Sequence, residues 1–351
     1  MRHPVLHVFL LFSLSTVITA SAQRDTAVAD PGYDTTYIKS FRNDFVVTAL
    51  SATTGNSIIV TDNQGRDIEF GTNVPTSFGV GLDYKWITLE YTSSFGRTGP
   101  EAKGCTEMQN IGVGLTGRKF WFRNFYQSTQ GYYLKNPQYF DNSFDPKINP
   151  YPHRDDVRSS VYYATLNYGF NHRRFSNMAA IWQLERQQKS AGTFTAGMTF
   201  SMGDYHADSA LIPEKSEDYF GREQAIIDLR FRMYGINAGY LHTFSFTKSK
   251  KMFLSLTFIP GICYQTAEAN NEEAINTIRK KGIGFHSEAR VVTGYNGDRL
   301  YASITTIAYT ISSSFSEMNP FSQGYGFGRI AVGYKFHLPE TKNPFLKRIG
   351  L

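Results

Sequence analysis

Near its C-terminal end the chain reads GFGRIAVGYKFHL, residues 326–338. Ile330, Val332, Tyr334, Phe336 and Leu338 fall on one parity, and Arg329, Ala331, Gly333, Lys335 and His337 on the other. A period of two marks a strand, because successive side chains leave opposite faces. A half-buried strand of a soluble sandwich has this pattern, and so has the closing strand of a barrel whose apolar face meets lipid.

The same alternation dominates the chain, and long helical periodicity is nearly absent. Val46 to Asp62 and Asp67 to Trp86 predict a hairpin across Asn63-Gln64-Gly65, with Phe78, Val80, Leu82 and Tyr84 on one face. Asn110–Thr116 and Lys119–Gly131 pair across Gly117-Arg118. Ser160–Phe170 turns at His172-Arg173-Arg174 into Phe175–Gln187, and Thr193–Met202 carries Phe194, Ala196, Met198, Phe200 and Met202 on one side. Ile227, Leu229, Phe231 and Met233 then alternate with Asp228, Arg230 and Arg232. Met252–Tyr264, Ile283–Tyr295, Leu300–Ser312 and the closing strand complete the set, with a tight turn at Asn296-Gly297-Asp298.

Short connections largely take turns with long polar ones such as residues 132–158 and 203–225. Outer-membrane barrels segregate their loops in this way, and sandwiches have no reason to. The expected fold is therefore a single all-β domain, an antiparallel transmembrane β-barrel. Its strand number is twelve or fourteen, depending on whether Gln224–Phe246 is one strand or two. Twelve, with one segment between Lys189 and Phe246 outside the wall, is the working expectation.

If the apolar parity meets lipid, the other parity faces an enclosed lumen. It carries Asp83, Lys85, Glu90, Arg123, Gln183, Glu185, Asp228, Arg230, Arg232, His286, Glu288, Arg290, Arg329 and Lys335. Almost no charge falls on the lipid parity, where a Lys or Arg at mid-membrane costs roughly 2–4 kcal/mol. Interleaved signs predict a salt-bridged network that fills the lumen. A pore whose basic excess favours anions is the competing reading.

Composition changes this picture in two ways. Aromatic residues make up 15%, which suits strands and interfacial girdles. Mean hydropathy is −0.33, as expected when only every second residue meets lipid. The N-terminus adds Arg2 and His3, an apolar run from Val5 to Ile18 and Ala20-Ser21-Ala22, which predict a signal peptide over residues 1–22. Residues 23–42 then form a periplasmic segment, residues 43–338 the barrel and residues 339–351 a tail. The net charge of +6 comes without a basic run interleaved with aromatics, so nucleic acid is not an expected partner.

Candidate chemistry is sparse. His286 and Ser287 are neighbours, but adjacent strand residues point to opposite faces and form no dyad. His286 and Glu288 share a face, which a hydrogen-bonded lumen pair explains. His153 and His206 stand alone, the aspartates of the 132–158 loop lack calcium spacing, and two cysteines make no disulfide framework. No catalytic residue, metal or cofactor is expected. The expected partners are outer-membrane lipid, the barrel-insertion machinery and small solutes, around a monomer. A lipid-acting enzyme and a surface adhesin or receptor using the 132–158 and 203–225 loops are the alternatives.

Four stretches together resemble a family of Bacteroidota outer-membrane barrels classed as a domain of unknown function. They are Tyr33-Asp34-Thr35-Thr36-Tyr37-Ile38 with Phe41-Arg42, Gly79 to Trp86, Glu185 to Gly192, and Gly294 to Arg299. The resemblance spans residues 33–338 and implies location and fold. It carries no activity and no functional residue. Outer-membrane barrels commonly end on an aromatic residue of the last strand, whereas here residues 339–351 follow and leave the assembly signal internal.

Overall fold

The computed structural model describes residues 32–61, 67–73, 76–94, 101–139, 141, 143–211, 226–271, 277–313 and 321–338. The predicted signal peptide, the Asn63-Gln64-Gly65 turn, the tail from 339 and much of the 203–225 loop lie outside them.

Twelve antiparallel strands close into a barrel. In chain order the elements are β1 (Ile38–Ser40), β2 (Asp44–Thr61), β3 (Asp67–Gly71), β4 (Thr76–Tyr84), β5 (Ile87–Ser94), β6 (Glu107–Thr116), β7 (Phe120–Leu134) and β8 (His153–Gly169). Then come a short helix α1 (Asn177–Ile181), β9 (Glu185–Gln187), β10 (Ala191–His206), β11 (Ile226–Phe246), β12 (Met252–Asn271), β13 (Thr277–Asn296), β14 (Leu300–Ser313) and β15 (Phe321–His337). The ring runs β2-β4-β5-β6-β7-β8-β10-β11-β12-β13-β14-β15 and closes where β15 pairs with β2, from Phe321↔Val60 to His337↔Asp44. Closure leaves no sheet edge unpaired, the condition for strands to lie in hydrocarbon. β3 is an extra strand bridging β2 and β7 at the long-loop end, so the predicted Asp67–Trp86 strand is broken in two.

The count of twelve wall strands holds, and the described part of Gln224–Phe246 is one strand, β11, of 21 residues. One expectation is corrected: the segment outside the wall is not between Lys189 and Phe246 but is Phe175–Gln187, which folds inward as α1 and β9 instead of forming a wall strand.

The outward parity is apolar over the middle of the barrel. Phe194 is 69% exposed, Met198 63%, Ile236 60% and Phe285 69%, which suits a surface bathed in lipid rather than water. β11, β12 and β13 are 20 or 21 residues long, about twice the 9–11 residues that cross a bilayer. They therefore extend well past the hydrocarbon at the long-loop end, and there the binary pattern inverts. Leu229, Phe231 and Met233 are buried inside the barrel with Ile68, Tyr132 and Tyr205. Asp228, Arg230 and Arg232 point outward. A bulge in β7 serves the same inner cluster: Gly131 takes φ +90, and a Cβ there would collide with the Cys105 carbonyl oxygen. The slip turns Tyr132 and Leu134 inward after Gln127 and Thr129.

Candidate functional site in the barrel lumen

Among the described residues, the 170–190 connection between β8 and β10 is the one short-end link that enters the barrel. Its helix starts at Ser176, whose Oγ accepts from the Ala179 N–H at 3.0 Å. Met178, Ile181, Trp182 and Leu184 pack on Val46, Leu50, Tyr301 and Ala331 of the wall. β9 pairs antiparallel with β1, so residues 38–40 lie across the barrel mouth as a strap.

Burying this plug requires its polar groups to be met, and Glu185 is the main anchor. Its carboxylate receives Arg42 Nε at 2.6 Å, Arg118 at 2.6 Å and the Ser176 hydroxyl at 2.6 Å. On the other side Arg186 reaches Asp298 at 3.2 Å and the Asn296 carbonyl at 3.2 Å, while Asn296 Nδ2 donates to the Glu185 carbonyl at 2.8 Å. Asp298, in the β13–β14 turn, also binds Lys39 of the strap at 2.6 Å. The Lys39 hydrogen bond, helped by the charges of Arg186, Lys39 and Lys251, holds its carboxyl down at about 2. Lys335 donates to Asn296 Oδ1 at 2.6 Å and sits 3.8 Å from the centre of the Phe41 ring.

Above the plug a polar layer crosses the lumen. Arg123 of β7 donates to Glu288 of β13 at 3.0 Å and to the Tyr309 hydroxyl of β14. β14 stands opposite β7 in the ring of twelve, so this contact spans the full bore. Arg290 donates to the other Glu288 oxygen at 3.1 Å and to Thr257 at 3.1 Å. Phe125 stacks between Tyr163 and Tyr325, with ring centroids 5.4 and 4.9 Å away. Arg329 pairs with Glu90 and donates to the Ile181 carbonyl of the plug at 3.3 Å. The inverted apolar cluster lies above this layer.

Eight of the fourteen residues assigned to the lumen from sequence point into it from the wall: Asp83, Glu90, Arg123, His286, Glu288, Arg290, Arg329 and Lys335. Asp83 accepts from the Thr88 hydroxyl at 2.7 Å. Gln183 and Glu185 are inside but belong to the plug. Lys85 is corrected to the β4–β5 turn, with φ 54 and its amine over the Tyr84 ring. Asp228, Arg230 and Arg232 are corrected to the outer face, where His206 meets Asp228 at 2.7 Å and Arg232 meets Asp204 at 3.3 Å. His286 is buried and Ser287 is on the other face of β13.

A family model described as a domain of unknown function, DUF4421, matches residues 32–336, nearly all of the chain described above. The chain belongs to this family. No curated protein matches it. Among solved structures, the DUF4421 barrel is similar to the β domain of the Bordetella autotransporter BrkA, at 6% identity over 83% of this chain and 100% of that one, with a TM-score of 0.36. It is also similar to the translocator domain of the autotransporter NalP from Neisseria meningitidis (9%, 94% and 95%, 0.30) and to the Pseudomonas putida toluene transporter TodX (7%, 84% and 91%, 0.28). At these values the likenesses assign no role.

Sequence reasoning missed the inward aromatics Phe125, Tyr163, Tyr309 and Tyr325. Alternation places Phe125, Tyr163 and Tyr325 on the polar parity of their strands, so for them the signal was present: a barrel filled by its own side chains takes apolar groups on both faces. β14 mixes polar and apolar residues on both parities and gave no such signal for Tyr309. The inversion in β11 was also legible. Counting back by twos from Phe244 through Tyr240, Ile236 and Tyr234 puts Arg232 and Arg230 outside.

Proposed function

We propose that the protein is a closed, monomeric outer-membrane barrel with a structural role and no open diffusion path. Short turns, the start of β2 and the end of β15 face the periplasm and the long loops face outward, in an envelope that the sequence resemblance points to as that of a Bacteroidota cell. The observation that carries this reading is the contact from Arg123 to Glu288 and Tyr309 across the full bore, between a plugged mouth and an apolar upper cluster. A charged layer between two packed ones excludes a continuous water column, so small solutes pass only if the plug and the cross-bore contact both open. The reading carries no catalytic step, since His286 and Ser287 leave β13 on opposite faces.

Refolded protein in planar bilayers tests it. No conductance steps are expected from protein whose mobility shifts on heating, and steady open-channel steps from the wild type overturn the closed reading. Phospholipid turnover that disappears in His286→Ala would overturn its non-enzymatic part.

A further inference from the structure

The outer wall of β10–β13 carries an ordered change of chemistry that the lumen does not explain. Residues in register across these strands form rows on the lipid-facing side. Phe200, Tyr234, Tyr264 and Ile283 make one row. Two residues nearer the long loops, about 7 Å along the strands, the next row is Met202, Arg232, Thr266 and Lys281. The row beyond is Asp204, Arg230, Glu268 and Arg279. Hydrocarbon-facing rings thus give way within two rows to four cations and two carboxylates, leaving positive charge over.

Both carboxylates already have cation partners, one of those cations in the lower row. Asp204 is shared by Arg232 at 3.3 Å and Arg230 at 3.8 Å, and Glu268 is held by Arg279 at 3.2 Å. Lys281 is exposed and makes no ion pair among the described residues. Arg232 uses one nitrogen, Nη1, for both its contacts, to Asp204 and to the Phe231 carbonyl. Between Arg232 and Lys281, two strands and about 10 Å apart, stands only the short Thr266 side chain. This is a gap of phosphate size with a cation on either side.

A second observation lies directly beneath. An apolar groove of about 590 Å³ runs down the outer wall, lined by Leu166, Met198, Phe200, Tyr234, Ile262 and Ile283 among others. It opens over the small side chain of Ala164, in register with Phe200 on one side and Asn124 on the other. Tyr234 and Tyr264 stand at its upper end, where tyrosines of an interfacial girdle belong.

We propose that this face holds an anionic lipid of the outer leaflet, one acyl chain in the groove and its phosphate between Arg232 and Lys281. Groove and cations are stacked in the order that tail and headgroup require. A soluble anion would use the cations alone, and a zwitterionic lipid would bring its own cation against them. The assignment rests on the outer-membrane reading, which sets the long-loop end in the outer leaflet.

Native mass spectrometry of the refolded full chain, offered phosphatidic acid or phosphatidylcholine in detergent, tests it. One retained phosphatidic acid is expected, bound at least about tenfold more tightly than phosphatidylcholine, with the preference lost in Arg232→Gln/Lys281→Gln. The heat-dependent mobility shift checks that the variant still closes. If it does not, Lys281→Gln alone, which breaks no ion pair, is expected to cut the preference about threefold. Equal retention of the two lipids, or a variant that keeps the preference, overturns the proposal and leaves the membrane reading standing. Glycerol 3-phosphate binding as tightly as phosphatidic acid also overturns it, because the groove would then add nothing. A wild type that fails to insert into vesicles overturns both.

Discussion

At the residue scale, buried charge is tolerated in this barrel only where it is matched. Glu288 lies between Arg123 and Arg290, all three nearly enclosed. Removing one partner of such a set strands the other charges, so Glu288→Gln is expected to cost about 3–5 kcal/mol in urea unfolding from lipid vesicles. Arg123→Gln combined with it should cost less than the two added, because they share one interaction. Asp298 works at the surface and responds to pH. Its carboxyl titrates lower when folded than when unfolded, so its contribution is present above the ordinary carboxylate range near pH 4 and is lost as pH falls toward 2. Hydrogen-exchange protection of residues 38–40, taken relative to the intrinsic rate at each pH, should therefore fall in that window, and Asp298→Asn should show the lower protection already at pH 7. Protection that is flat with pH and unchanged in the variant counts against the strap being held there.

At the element scale, alternation revealed most of the wall, and it failed where one strand serves two environments. Thr193–Met202 and residues 326–338 sit at lipid depth, and their parity reads directly as outside and inside. β11 leaves the bilayer partway along, so its apolar residues turn from the lipid side to the lumen side without any change in period. A fixed rule that charge means inside then misplaces Asp228, Arg230 and Arg232. Phe175–Gln187 failed for a different reason: it alternates weakly, and its place is set by Glu185, Arg42 and Arg118, contacts 67 or more residues apart in the chain that no local pattern encodes. Two substitutions separate the two zones of β11. Ile236→Arg is expected to destabilise by roughly 2–4 kcal/mol as a charge on the lipid face. Arg230→Leu, outside and above the hydrocarbon, should stay within about 0.5 kcal/mol. Equal effects at the two positions would show that the wall crosses the membrane at a different height.

At the scale of the whole molecule, three layers fill the bore: a plug fixed by ion pairs and packing, a polar and aromatic layer, and an apolar cluster above the membrane. The fold and the sign of the inward parity were open to sequence reasoning because lipid imposes one rule on every strand. The layering was not, because it depends on which inward residues reach one another across the ring. Shortening the 171–189 connection to a turn should leave the barrel closed to ions, since Arg123, Glu288 and Tyr309 still span it, and bilayer recording of that variant checks this. The central claim is the direction of the wall. Single cysteines at Met198, Ile236, Ile330 and Arg230, in a chain with Cys105 and Cys263 replaced by serine, can carry a fluorophore in vesicles made with brominated acyl chains. The first three should be quenched by the brominated lipid and the label at 230 by aqueous iodide. Iodide quenching at 198 and 236 with no effect of the lipid would contradict the account.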